Sequence, residues 1–338
     1  MRTSCVILSI LLIAVEAHAQ ALVTPVPDAS APAAATPSPS DNPSHADIPK
    51  TPLFRAGVDL VALSVVVTDP QQRFVTGLEP ADFAVFEDGV QQDVSFFAAQ
   101  QVPLDLALLL DTSASMLDKM QTMQTAAVGF LNTLRSGDRA IIIDIKDNVR
   151  IAYPLGVDFR EAHAAVRGTV ARGGTALYNG LYLALKEMVK QRKANGDVRR
   201  QAIAVLSDGE DTASLVGYDD VMELAKQSGI TVYTITLKSA FAIKQASQSG
   251  RRYFSESEFA MKALAQETGA RSFFPTDIDE LAGVYDAIAT ELAHQYAIGY
   301  SPKNARPDGA FRRVVVRVAD RPDVRTRTRS GYMAARLR

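Results

Sequence analysis

The chain has 338 residues, 47% of them apolar, which is ample for a sizeable core. Its formal net charge is −2, so no global field selects nucleic acid or an anionic membrane. Paired cations such as Arg199-Arg200 and Arg312-Arg313 read as solvated faces, not phosphate tracks.

The N-terminus has the pattern of a secretory signal. Arg2 supplies the positive start, Cys5 to Val15 the apolar core, and Ala17-His18-Ala19 the small-x-small cleavage pattern, with cutting expected after Ala19. The apolar stretch is too short for an ordinary membrane span. Cys5 lies inside that core, not at its end, which argues against a lipid-modified cysteine. Cleavage would leave a mature chain with no cysteine, which excludes disulfides, thiolate metal sites and a cysteine nucleophile. With signal peptide 1–19, the expected location is periplasmic or secreted, with no transmembrane span in the mature chain. Residues 20–53 are rich in Ala, Pro, Ser and Thr without periodicity, the composition of a disordered spacer.

Residues 54–100 read as a β segment. Val58 to Thr68 is β-branched and partly alternating, Asp69-Pro70 marks a turn, and Phe83 to Gln92 reads as a strand, an acidic-Gly turn and a return strand. From residue 104 strands and helices alternate. The continuously apolar stretch 104–110 predicts a strand covered on both faces. Helical spacing follows over 117–134, a strand over 140–145, an edge strand over 150–153, and helices over 159–170 and 176–189. A strand at 202–206, a helix at 218–227, a strand at 231–237, a helix at 259–267, a strand at 272–274 and a helix at 278–294 complete the series. Repeated βα units predict an α/β fold with a doubly wound, mostly parallel, Rossmann-like sheet. The tail turns β again, with strands expected at 295–300, 311–318 and 324–329, the last two as a hairpin. Segments 54–100 and 301–338 together predict one accessory β-sandwich-like domain beside the α/β domain of 102–300.

In an open α/β sheet, ligands sit at the carboxyl ends of the strands, near the point where strand order reverses. Three loops are expected at that edge. Asp111-Thr112-Ser113-Ala114-Ser115 follows the first core strand, Gly173-Gly174-Thr175 precedes a helix, and Ser207-Asp208-Gly209-Glu210-Asp211 follows the strand at 202–206. Asp111, Ser113, Ser115, Thr175 and Asp208 would converge on one cation, and oxygen-only donors suit a hard divalent ion. The simpler alternative is three separate turns and helix caps at Asp111 and Ser113, Thr175, and Asp208-Gly209. Asp118, Asp144, Asp147 and Asp211 read as surface or capping carboxylates, with Asp211 the foremost candidate for a place just behind the ligands. Tyr178 and Asn179 are candidates to border the site.

The order D-x-S-x-S, then G-G-T, then S-D-G-x-x-D resembles the von Willebrand factor type A (VWFA) family over about residues 102–300, with the flanking β segments similar to its secreted bacterial members. The resemblance implies a metal-ion-dependent adhesion site holding Mg2+ or Mn2+. Ser113, Ser115 and Thr175 would bind the metal directly, and Asp111 and Asp208 directly or through water. A sixth position would be left for water or for a carboxylate from a protein partner. The implied function is an exported adhesion or protein-interaction module, whose recognition surface would include the Ser-, Gln- and Arg-rich segment Lys238 to Phe254.

Catalytic machinery is not evident. Of the four histidines, His18 and His45 lie in the signal and spacer, and His163 and His294 in expected helices, so Ser113 and Ser115 have no evident base. No G-x-S-x-G elbow, phosphate loop or H-E-x-x-H pair occurs. Two alternatives stand beside the adhesion module. One is a Mg2+-dependent phosphohydrolase using Asp111, against which no second carboxylate follows two residues on. The other is a structural envelope module without metal-linked binding.

Overall fold

The computed structural model describes residues 60–99, 102–195, 199–207, 210–237 and 255–336. The expected signal and spacer, Asp208-Gly209 and the segment Lys238 to Phe254 lie outside the described residues.

The first four strands are β1 (Val61–Thr68), β2 (Phe83–Glu87), β3 (Val90–Gln92) and β4 (Val94–Ala98). The α/β core follows with β5 (Leu104–Asp111), α1 (Met120–Leu131), β6 (Arg139–Ile145), β7 (Arg150–Gly156), α2 (Phe159–Arg167) and α3 (Leu177–Asn195). It continues with β8 (Arg200–Ser207), α4 (Tyr218–Ser228), β9 (Thr231–Thr236), α5 (Glu256–Glu267), β10 (Ser272–Phe273) and α6 (Leu281–Ala293). Four strands close the chain, β11 (Tyr296–Tyr300), β12 (Phe311–Val318), β13 (Arg325–Arg327) and β14 (Gly331–Met333).

The core is a six-stranded sheet in the order β10-β9-β8-β5-β6-β7, parallel except for β7, which runs antiparallel to β6. Every residue of β5 is buried. Leu104, Leu106, Leu108 and Leu110 pack with Met123 and Phe130 of α1 and Tyr285 and Ile288 of α6. Ala107 and Leu109 face the other way, against Leu181 and Leu185 of α3 and Val221 of α4. Alternate side chains of one strand thus meet helices on both faces, which is why an uninterrupted apolar run was needed. Each fully buried leucine contributes about 1.5–3 kcal/mol. Because β5 lies between β6, its successor, and β8, a crevice opens at its carboxyl end.

Two four-stranded antiparallel sheets, β13-β1-β11-β4 and β14-β12-β2-β3, make a sandwich. Val61, Leu63 and Val65 of β1 and Tyr296, Ile298 and Tyr300 of β11 share one core with Val85 of β2 and Val314, Val316 and Val318 of β12. Within the sandwich Glu87 is buried because its Oε2 accepts the hydroxyls of Tyr300 at 2.9 Å and Tyr332 at 2.8 Å.

Some expected elements differ. The helix expected from 117 begins with a 3-10 turn, Ala114–Lys119, anchored by the fully buried Met116, and α1 starts only at Met120. The helix expected from 278 likewise opens with a 3-10 turn, Ile278–Glu280, capped by Asp277. The stretch 159–170 stops at Arg167, where Thr169 Oγ1 turns back to donate to Val166 O at 2.8 Å. The hairpin expected between 311–318 and 324–329 does not form as a ladder. β12 pairs with β2 and β14, while β13 crosses to the other sheet and pairs Val66↔Arg327 with β1. Asp320, at φ +56°, turns the chain between them.

Candidate metal site

At the carboxyl edge of the sheet the β5 turn is held from several directions. Asp111 is fully buried. Its Oδ1 accepts the Ser113 amide at 2.9 Å, an Asx-type turn, and its Oδ2 accepts Ser207 Oγ from the end of β8 at 2.7 Å. Ser113 Oγ and Ser115 Oγ lie 3.0 Å apart. Ser113 stands at the cap position of the 3-10 turn but makes no side-chain capping bond, so its hydroxyl is turned to Ser115 and not to the backbone. Ser115 is exposed while Ser113 is buried, which places this pair of oxygens at a solvent boundary.

The second loop runs alongside the first. Arg172 N donates to Thr112 O at 2.9 Å and Ala114 N to Gly173 O at 2.9 Å. Gly173 takes φ +71°, and a Cβ there would strike the Asp147 carboxylate, so glycine is required twice over. Thr175 is buried, and its backbone is bound into the third loop. Thr175 N donates to Thr212 Oγ1 at 2.9 Å, and Thr175 O accepts from Thr212 N at 2.9 Å and Ala213 N at 3.1 Å.

Asp111, Ser113 and Ser115 are therefore gathered directly. Thr175 is joined to them through the Ala114–Gly173 link, and Asp208 lies outside the described residues, immediately after Ser207. Among the described residues no group of three or more His, Cys, Asp or Glu is gathered for a metal. The donors here are one buried carboxylate and neighbouring hydroxyls, a set that fits a hard, oxygen-seeking divalent cation and not a soft one.

One supporting residue escaped the sequence, and three that it singled out pin the loops. Asp144, read there as a surface or capping carboxylate, is fully buried under the site. One of its oxygens accepts the Thr112 hydroxyl, and the other accepts Lys146 Nζ at 2.8 Å and Arg150 Nε at 2.9 Å. The available signal was an acid inside a strand whose both faces are covered. Asp211 caps the start of α3, its Oδ1 accepting Tyr178 N at 3.3 Å and Ser214 Oγ at 2.6 Å. Asn179 Oδ1 accepts the Leu215 and Val216 amides, each at 3.1 Å, and so pins the third loop. Burial first, then the negative charges of Asp211 and Glu256, push the Tyr178 phenol above its ordinary value. Neighbouring Tyr218 is pushed up to about 12, again by burial first.

With strand order 10-9-8-5-6-7 and this loop cluster in place, the family follows. The chain belongs to the von Willebrand factor type A domain family, whose model matches residues 105–287. No curated protein matches it. Among solved structures it is similar to a von Willebrand factor type A protein from Catenulispora acidiphila (12% identity, 84% of this chain and 76% of that one, TM-score 0.47). It is also similar to proximal thread matrix protein 1 from the mussel byssus with a zinc-occupied MIDAS motif (12% identity, 62% of this chain and 50% of that one, TM-score 0.46). A third is an aerotolerance-related membrane protein from Bacteroides fragilis (16% identity, 56% of this chain and 98% of that one, TM-score 0.43). In another crystal form of the mussel protein the chain spans 48% of that protein's length.

Proposed function

We propose that this chain is an exported, metal-dependent protein-interaction module, and that Asp111, Ser113, Ser115, Thr175 and Asp208 hold Mg2+ or Mn2+. The observation that carries the reading is the Ser113–Ser115 pair of hydroxyl oxygens 3.0 Å apart beside a buried Asp111 carboxylate, on the turn that ends β5. A cation held there supplies positive charge and an open position for a partner's carboxylate. The chain's part is to orient the oxygens and keep the Asp111 carboxylate away from bulk water, where the cation would compete with solvent. Within four residues of each loop in sequence stands one strongly exposed apolar residue, namely Leu117 (65%), Val170 (63%) and Leu215 (96%), which suits contact with a protein surface. No helix among the described residues is long and apolar enough to cross a membrane.

Calorimetric titration of the mature protein with Mg2+ and Mn2+ tests the metal, with Asp111→Ala as the control expected to lose binding. A pull-down from envelope extract with and without chelator then tests the metal's role in recognition. Wild-type protein that binds neither ion, or Asp111→Ala that binds like wild type, overturns the reading.

A further inference from the structure

We propose that the carboxyl end of β6 is the template on which the metal site is assembled, and that Thr112, Asp144 and Asp147 are positioning residues that never touch the cation. This rests on the metal reading above.

Four consecutive residues, Asp144 and Ile145 at the end of β6 and Lys146 and Asp147 in the bend that follows, hold two of the three loops. Ile145 O accepts Thr112 N at 2.8 Å, and Asp144 accepts the Thr112 hydroxyl. These bonds fix the residue between Asp111 and Ser113. Lys146 O accepts Ala176 N at 3.3 Å, and an Asp147 oxygen accepts Gly174 N, which fixes the residues on both sides of Thr175. The spacing between the serine pair and Thr175 is therefore set by one short stretch of chain that contributes no candidate ligand itself.

Asp144 is suited to this role and unsuited to binding the metal. It is fully buried, and three donors occupy its oxygens: Thr112 on one, and Lys146 and Arg150 on the other. Two cations against one carboxylate leave no excess negative charge at that point to draw the metal off its place. The Thr112 hydroxyl also reaches Ile145 O at 3.3 Å, so the side chain is held between two acceptors on β6. Freeing Thr112 would let the turn carrying Asp111, Ser113 and Ser115 rock while every candidate ligand stays in the sequence. Groups that orient ligands from behind in this way typically affect metal affinity by about 10–100-fold.

The experiment uses the full chain with Mn2+ as probe, its affinity followed by electron paramagnetic resonance. Amide hydrogen exchange of chelator-treated protein over residues 112–115 and 173–176 gives a metal-free readout. Thr112→Val keeps the shape and removes the hydroxyl. It is expected to weaken Mn2+ roughly tenfold and to speed exchange over 112–115 without metal. Thr112→Ser restores both. Asp147→Ala is expected to loosen 173–176 and weaken Mn2+, whereas Asp147→Asn, which keeps an oxygen for Gly174 N, is expected to behave like wild type. If wild type binds Mn2+ and Thr112→Val and Asp147→Ala bind it equally well, the template idea is overturned while the metal reading survives. Wild type that binds no Mn2+ overturns both.

Discussion

Ser207→Ala removes one hydroxyl that bridges the ends of β8 and β5. The bond it deletes is a 2.7 Å donation to a carboxylate oxygen of Asp111, with both residues buried, at 2% and 0% exposure. A hydrogen bond to a charged group contributes about 1.5–3 kcal/mol. Asp111 keeps the Ser113 amide on its other oxygen, so the carboxylate is not stranded and a loss of about 2 kcal/mol is expected. For a folded unit of this size that corresponds to a fall in Tm of roughly 3–4 °C. The assay is urea and thermal unfolding in chelator, so that metal binding cannot mask the difference. Thr125→Ala is the control. Its hydroxyl donates to Gln121 O at 2.8 Å, an equally short bond, but on the exposed side of α1, and it should change stability by no more than about 0.5 kcal/mol. If Ser207→Ala falls within that same margin, burial does not set the strength of the bond and the reasoning is refuted.

Other expectations follow from the same geometry. Asp105, 1% exposed, receives two bonds from Arg139 at 2.8 and 2.7 Å and one from Arg199 at 2.6 Å, so Asp105→Asn should cost about 3 kcal/mol in denaturant unfolding. Asp69→Asn breaks a pair whose arginine is 76% exposed and screened by water, and should leave the denaturant midpoint unchanged. Gly173→Ala meets both positive φ and the Asp147 carboxylate, whereas Gly137→Ala, at φ +91°, meets nothing within 4 Å. The first should therefore destabilise the chain by clearly more than the roughly 1 kcal/mol expected of the second. Tyr218, raised to about 12 by burial and then by Tyr178, favours the folded state while protonated. Its share of stability is complete below pH 10 and is lost as pH rises towards 12, and Tyr218→Phe should flatten that limb of the stability-against-pH curve.

The α/β core was legible because its strands are short apolar runs and its helices keep a 3.6-residue stripe. β5, β6, β8 and β9 lie within two residues of where periodicity puts them. The turn Asp111 to Ser115 was legible for the same reason, since an apolar strand ending in an acid and spaced hydroxyls is a local pattern. What escaped was non-local. The pairing of β1 with both β11 and β13 joins residues more than 200 positions apart, and nothing in Arg325 to Arg327 names its partner. Asp144 was misread because it stands one residue from the end of its strand, where a carboxylate ordinarily meets water, and here that end is covered by Lys146, Arg150 and the Thr112 turn. Ser207 stands next to Asp208 in the chain, but its hydroxyl's reach to Asp111 depends on β8 lying beside β5, a fact of strand order.

The sandwich is wired into the α/β core at two points, where β4 leads to β5 and where α6 leads to β11. Leu104 at the start of β5 and His294 at the end of α6 line the same cavity, at the amino ends of the strands. Arg327 of β13 adds a third fastening, its Nη2 2.6 Å from Glu291 of α6. Ser330 N donates to Glu267 O at 3.1 Å and Arg327 Nη1 to Gly269 O at 2.6 Å, so the sandwich is also tied to the end of α5. The sandwich thus sits against the amino ends of the strands, and the loops of Asp111 and Thr175 at the opposite, carboxyl ends are left uncovered by it.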